Sequence, residues 1–256
     1  MYGRRGRIGL MVPTGNSVVE PEFQRMAPDG MSIHANRVEL KDVTPDSLLA
    51  MESDTVRSAR QIAQTRLGVI AFACTSGSFV GGAGYDDRLI KTIQDETGIA
   101  ATTTTTAVVR ALRLLKVSRI ALATPYVDEV TKLEVDYLND NGFEVTAWQG
   151  GGITDTADIQ ECEPEVSYNR AREVDNDRAE AVFISCTGFR TIENIARLEA
   201  ELGKPVISSN QATFADCLRI LDLHEVAPGY GSLFEKTFEH ARLGGASGKA
   251  SQQAAE

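Results

Sequence analysis

Two motifs in this chain occur twice at one spacing. Arg7-Ile8-Gly9-Leu10-Met11-Val12-Pro13 returns as Arg119-Ile120-Ala121-Leu122-Ala123-Thr124-Pro125, 112 residues on (119 − 7). Val69-Ile70-Ala71-Phe72-Ala73-Cys74-Thr75 returns as Ala181-Val182-Phe183-Ile184-Ser185-Cys186-Thr187, again 112 residues on (186 − 74). A shared offset for two separate motifs marks a duplicated unit, so the chain is expected to fold as two similar halves. The expected boundaries are residues 1–115 with about 212–240 rejoining the first half, and 116–211 for the second. The last stretch, 241–256, is rich in Gly, Ala, Ser and Gln and reads as a disordered tail.

Within each half, strand and helix signals alternate. Short aliphatic or β-branched runs at about 7–12, 67–73, 119–124 and 181–185 have the uniform hydrophobicity of parallel strands buried on both faces. Further strands are expected at 31–39, 99–103, 143–148 and 205–208. Ser17 with Glu20 fits a capping box. Thr44-Pro45 fits an N-cap followed by proline at the first helical position. Helices are expected at about 128–140, stopping at Asn141-Gly142, and at 191–202, stopping at Gly203. The five threonines Thr102 to Thr106 suit a strand running into a helix N-cap better than a helix interior, and Ser208-Ser209-Asn210 is their counterpart. The fold class is therefore α/β: two pseudo-symmetric domains, each a parallel sheet flanked by helices. Such sheets bind ligands at the carboxyl ends of their strands, which here places a site in the cleft between the halves.

The bulk numbers exclude several function classes. A net charge of −10 disfavours nucleic acid as a partner. No apolar run approaches the roughly 18 residues that span a bilayer, and no secretory leader is evident. The four cysteines form no CxxC, which argues against a zinc ribbon or a thioredoxin motif and for a reducing, cytoplasmic setting. The glycine loops 81–84 and 150–152 lack GxGxxG spacing, and no P-loop is present. No cofactor and no metal is expected. Only His34, His224 and His240 are available as imidazoles, none in a site-like segment, which weakens any Ser-His or Cys-His hydrolase. Ser76 also lacks the GxSxG setting.

Cys74 and Cys186 end equivalent strands and lead into small hydroxyl and glycine residues: Thr75, Ser76 and Gly77 after the first, Thr187 and Gly188 after the second. Backbone amides and hydroxyls in such turns can hold a carboxylate or a developing enolate. They are also expected to lower the thiol pKa. The competing reading makes both cysteines small core residues; their equivalent places in the repeat favour the site. Asn16, after Pro13-Thr14-Gly15, offers its amide either to a substrate carboxylate or to the next helix as an N-cap. Tyr126, in the matching turn of the second half, offers its hydroxyl to a substrate oxygen or packs as an amphipathic ring. Cys162 and Cys217 have no repeat partners and read as structural, and the charged 158–180 stretch reads as a solvated helix face.

At these residues the chain resembles the aspartate/glutamate racemase superfamily, in the branch of maleate cis-trans isomerases and arylmalonate decarboxylases. The resemblance runs from Arg7 to about Phe234. It rests on Val12-Pro13-Thr14-Gly15-Asn16, Cys74-Thr75-Ser76, Ala123-Thr124-Pro125-Tyr126, Ser185-Cys186-Thr187, Pro205-Val206-Ile207-Ser208-Ser209 and Pro228-Gly229-Tyr230-Gly231. It implies a cofactor-independent enzyme with Cys74 and Cys186 as catalytic thiols. It also implies that Asn16, Thr75, Ser76 and Tyr126 hold the carboxylates or the enolate. Both cysteines act in the racemases and maleate isomerases of this branch, whereas the decarboxylases keep only the second and have glycine at the first. Asp155 stands where the maleate isomerases of the branch have asparagine; an anionic side chain facing a dicarboxylate would repel it unless turned away.

The expected activity is isomerisation of a small carboxylic acid, either cis-trans isomerisation by thiolate addition or racemisation by two opposed thiols. Decarboxylation of a disubstituted malonate and a non-catalytic small-acid binding protein are the alternatives. The expected partner is a small carboxylate or dicarboxylate, with a homo-oligomer compatible but no nucleic acid and no membrane.

Overall fold

The computed structural model describes residues 2–226 and 228–237; the segment read as a tail lies outside them. The first half runs β1 (Gly6–Pro13), α1 (Val19–Met26), β2 (Met31–Val38), α2 (Pro45–Ala50), α3 (Glu52–Ala63), β3 (Val69–Phe72), α4 (Thr75–Phe79), α5 (Tyr85–Thr97), β4 (Ala101–Thr103) and α6 (Thr104–Leu114). The second runs β5 (Arg119–Ala123), α7 (Asp128–Asp140), β6 (Glu144–Gln149), α8 (Thr156–Glu161), α9 (Pro164–Val174), β7 (Ala181–Ile184), α10 (Ile195–Leu202), β8 (Val206–Ser208) and α11 (Ser209–Ile220). All eight expected strands form. They make two four-stranded parallel sheets of the same order, β2-β1-β3-β4 and β6-β5-β7-β8.

The repeat extends to strand register. Ile8 pairs with Val69 in the first sheet and Ile120 with Ala181 in the second, so both partners move by 112 (120 − 8 and 181 − 69). The central strands β3 and β7 are buried along their whole length, as crossover helices on both faces require. The equivalence breaks just past the cysteines. Ile70 pairs with Ala101 but Val182 pairs with Val206, so the second offset is 105 (206 − 101), seven residues fewer. In the first half Cys74 opens a helix; in the second, Cys186 opens a turn.

Three local expectations need correction. The Ser17–Glu20 capping box does not form: Asn16 Oδ1 accepts from Val18 N and Val19 N, Ser17 bonds Gln160 and Glu20 pairs with Arg37. An amide three residues before the first helical residue reaches the same orphan donors, so the serine is released. The helix placed at 191–202 begins at Ile195, after a turn at 192–194, and ends as expected on Gly203 with φ 66°, a left-handed position that favours glycine. The 158–180 stretch is two helices and a loop, and α9 buries Ser167, Tyr168, Ala171 and Val174 on its inner face. Thr44 does cap α2 ahead of Pro45, and Thr103 and Ser208 cap α6 and α11. α11 leaves the second sheet and packs mainly on α6 and α1 of the first half. No helix among the described residues is long and apolar enough to cross a membrane.

Candidate active site

Both cysteines line one small cavity between the halves. Asn16, Thr75, Ser76, Tyr126, Thr187 and Gly188 also line it, so the six expected substrate-binding residues share one space with the two thiols. The thiols are close enough for the charge of one to bear on the other.

The two thiols sit differently. Cys74 is the N-cap of α4: its Sγ accepts from Gly77 N at 3.3 Å, and Ser76 Oγ lies 3.9 Å away. The first amides of α4 have no intrahelical partner, and Thr75 and Ser76, which carry two of them, line the cavity. Cys186 has φ 94°, a conformation that costs a non-glycine residue of order 1–3 kcal/mol and persists only where surroundings impose it. The constraint is visible. Its N–H donates to Ser209 Oγ (3.0 Å) and its Sγ accepts from Gly188 N (3.4 Å), while the nearby Tyr126 hydroxyl favours the charged form of the sulfur.

Hydrogen bonds tie each cysteine turn to the opposite half. Thr75 Oγ1 donates to Ser209 Oγ (2.9 Å), so one serine hydroxyl accepts from the turn of Cys74 and from the backbone of Cys186. Thr187 Oγ1 donates to Ala73 O (3.1 Å) and accepts from Asn16 Nδ2 (2.9 Å). Asn16 therefore fills its expected capping role, its Oδ1 accepting from Val18 N and Val19 N, and its amide carries a second N–H besides the one given to Thr187.

The expected lowering of the thiol pKa is not found. Burial is the largest influence on both, pushing Cys74 up to about 11 and Cys186 to about 12, against the smaller opposing effects of Gly77 N and Ser76 on the first and of Tyr126 and Gly188 N on the second. Desolvation of an anion outweighs two or three neutral donors when no cation is near. No lysine, arginine or histidine among the described residues lines the cavity. The resting thiols are protonated at neutral pH.

The remaining lining was not legible beforehand. Leu40 and Val43 come from the β2–α2 connection, and Thr156, Ile159 and Gln160 from α8. These segments meet as a roof: Val43 N donates to Thr154 O (2.8 Å), Thr156 Oγ1 donates to Lys41 O (3.2 Å), and Asp42 bridges Asp155. Asp155 is exposed and caps α8 through Ala157 N. It lines a separate surface pocket with Arg37, Lys41 and Arg57 and not the cavity of the thiols. The threonines of the 102–106 run are absent from the lining, as are Cys162 and Cys217. Two buried glutamates were also missed, Glu22 in α1 and Glu134 in α7. They stand 112 residues apart (134 − 22), so the repeat offset itself could have found them. No cluster of His, Cys, Asp or Glu among the described residues could hold a metal ion.

The comparisons with known proteins agree with this geometry. The chain is 30% identical to a maleate isomerase of Pseudomonas putida over 91% of its own length and 98% of that protein's. It is 32% identical to an arylmalonate decarboxylase of Bordetella bronchiseptica, over 90% and 97%. It superposes on a Nocardia farcinica maleate cis-trans isomerase mutant holding a covalently bound succinylcysteine intermediate with a TM-score of 0.85, at 30% identity over 90% of this chain and 97% of that one. Residues 8–234 match the profile of arylmalonate decarboxylase, and with a match of that extent the chain belongs to the arylmalonate decarboxylase family.

Proposed function

We propose that the chain is a cofactor-independent isomerase of a small unsaturated dicarboxylate, of the maleate class, with Cys74 and Cys186 as its reacting thiols. The observation that carries this reading is the pair of thiols lining one cavity that contains no cationic side chain. Cys74 gives its proton to a substrate carboxylate on binding and takes it back as product leaves; as thiolate it adds to one carbon of the C=C bond, forming a C–S bond while the π pair moves onto the other carbon as an enolate. Cys186 gives that carbon its proton. The bond, now single, rotates. Cys186 then takes a proton back, the double bond re-forms in the trans geometry, and the C–S bond breaks to return the Cys74 thiolate. The succinylcysteine of the Nocardia farcinica relative is the adduct this route requires. The second Nδ2–H of Asn16, the Tyr126 hydroxyl and the first amides of α4 hold the carboxylates and the enolate. Cys74 is assigned as the nucleophile because its Sγ caps a helix and accepts from Gly77 N.

Decarboxylation of an aryl malonate is the second reading, favoured by the apolar Leu40, Val43 and Ile159 wall and by the Bordetella bronchiseptica relative. One panel separates the two: maleate and aryl malonates with wild type, Cys74→Ala and Cys186→Ala. Fumarate formation lost in both variants supports the isomerase. Release of CO2 from an aryl malonate that survives Cys74→Ala and fails in Cys186→Ala overturns it.

A further inference from the structure

Glu134 is 1% exposed. Its Oε1 accepts from Ser185 Oγ at 2.7 Å, and its Oε2 is buried with no hydrogen-bond partner. Ser185 is the residue immediately before Cys186. The charge of Glu134 bears on both Cys186 and the nearby Tyr126. Its repeat counterpart is fully engaged. Glu22 accepts from Thr191 N (2.8 Å) and Ile192 N (3.3 Å) on one oxygen and from Asn210 Nδ2 (2.7 Å) on the other. Duplication thus left one glutamate clamped by three N–H donors and the other with a single hydroxyl behind a thiol. A carboxylate so poorly solvated is tolerated in its neutral form.

We propose that Glu134 is a positioning residue for Cys186: held through Ser185, its carboxyl stays neutral while that thiol works, and its ionisation at alkaline pH switches Cys186 off. This rests on the reading of Cys186 as a reacting thiol. That thiol must pass through a thiolate when it gives up its proton, and a second negative charge in the same desolvated region opposes that step.

The other groups around Glu134 do not compete for the role. Tyr126 precedes α7 in the chain, and Cys186 follows β7. α4, which packs on α7, carries no titratable side chain beyond the capping Cys74. On β6, Glu144 is engaged by Arg178 at the exposed end of the strand. On α7 itself the neighbouring Tyr137 donates to Asp86 of α5. No cationic side chain among the described residues moves Glu134; burial pushes its carboxyl up to about 8, against the smaller opposing effect of the Ser185 hydrogen bond.

The test is peptide-resolved alkylation of the intact protein by iodoacetamide from pH 6 to 10, in wild type and Glu134→Gln. The ratio of the Cys186 rates, variant over wild type, is expected to be near one below pH 7 and to rise about five- to tenfold above pH 9, as one nearby charge is removed. Cys74 in the same digest is expected to keep a constant ratio. A ratio for Cys186 that stays flat with pH, or a Cys74 ratio that follows it, overturns the proposal. Ser185→Ala provides the second arm, should the glutamine variant not fold. With its one donor gone, Glu134 ionises later, and the pH at which Cys186 labelling is suppressed moves up; no movement overturns the proposal. If maleate is not turned over at all, the proposed function fails while the alkylation profile still decides the role of Glu134.

Discussion

Burial governs the cysteines. Cys74 is 3% exposed and Cys186 8%, and no cationic side chain among the described residues lines their cavity to stabilise a thiolate. At pH 7.5 the half-exposed Cys162 is therefore expected to alkylate first, although burial and the neighbouring Asp158 raise its thiol too. Cysteine-resolved mass spectrometry after a short iodoacetamide pulse checks this, and fast labelling of Cys74 or Cys186 ahead of Cys162 contradicts it. Space around the sulfurs is as uneven as their backbones. A Cβ on Gly77 would lie 3.0 Å from Cys74 Sγ and 2.9 Å from Met51 Sδ, whereas one on Gly188 meets nothing closer than 3.7 Å. Gly77→Ala is thus expected to cut turnover at least tenfold, displacing the nucleophile by a fraction of an ångström, with Gly188→Ala close to wild type. Equal steady-state rates for the two variants contradict this.

The elements flanking the cleft are held by hydroxyls. Thr103 caps α6 through Thr106 N, and Ser208 caps α11 in a full capping box with Gln211. The rest of the threonine run is spent on packing: Thr102 donates to Asp216, Thr106 to Asp86, and Thr104 accepts from Thr213. That is why none of it reaches the cavity. Asp216, 4% exposed on α11, also pairs with Arg110 of α6 and with Arg219. Asp216→Ala leaves the buried Thr102 hydroxyl without its acceptor and loosens the α6–α11 contact. Urea denaturation is expected to show a loss of about 1–3 kcal/mol; an unchanged midpoint would mean that the pair is held by apolar contacts alone. Thr103→Ala is expected to cost about 1 kcal/mol as a lost cap.

The whole molecule is two copies of one unit stitched across their cleft. Thr75–Ser209, Asn16–Thr187 and Thr187–Ala73 cross it beside the cysteines, and Glu22 of α1 clamps the Thr191–Ile192 turn of the other half. Glu22 and Glu134 are both raised by burial, to about 7 and about 8, from an ordinary 4.5. For a carboxyl raised in the folded state, the fold holds a proton that the unfolded chain releases. Its contribution is complete below about pH 4.5 and is lost as pH climbs to the folded value. Stability should therefore decline between about pH 4.5 and 8. Glu134→Gln should flatten the decline by about 1.4 kcal/mol per pH unit, measured by denaturant titrations at several pH values. Parallel wild-type and variant slopes would show that Glu134 does not take part.

The repeat was enough to establish the duplicated α/β architecture, the eight strands and the equivalence of Cys74 with Cys186. Buried parallel strands and their carboxyl-end turns leave local, periodic signatures, and duplication prints them twice. Asn16 and Tyr126 were legible for the same reason, as residues of those turns. The folded structure alone revealed what depends on neighbours remote in the chain: the roof formed by Leu40, Val43 and Ile159, the outward turn of Asp155, and the different geometry of two sequence-equivalent cysteines. It also reversed the expected thiol pKa shift. A turn's donors can be read from local sequence, but desolvation depends on everything packed around the sulfur, and here the more distant packing outweighs the nearby hydrogen bonds.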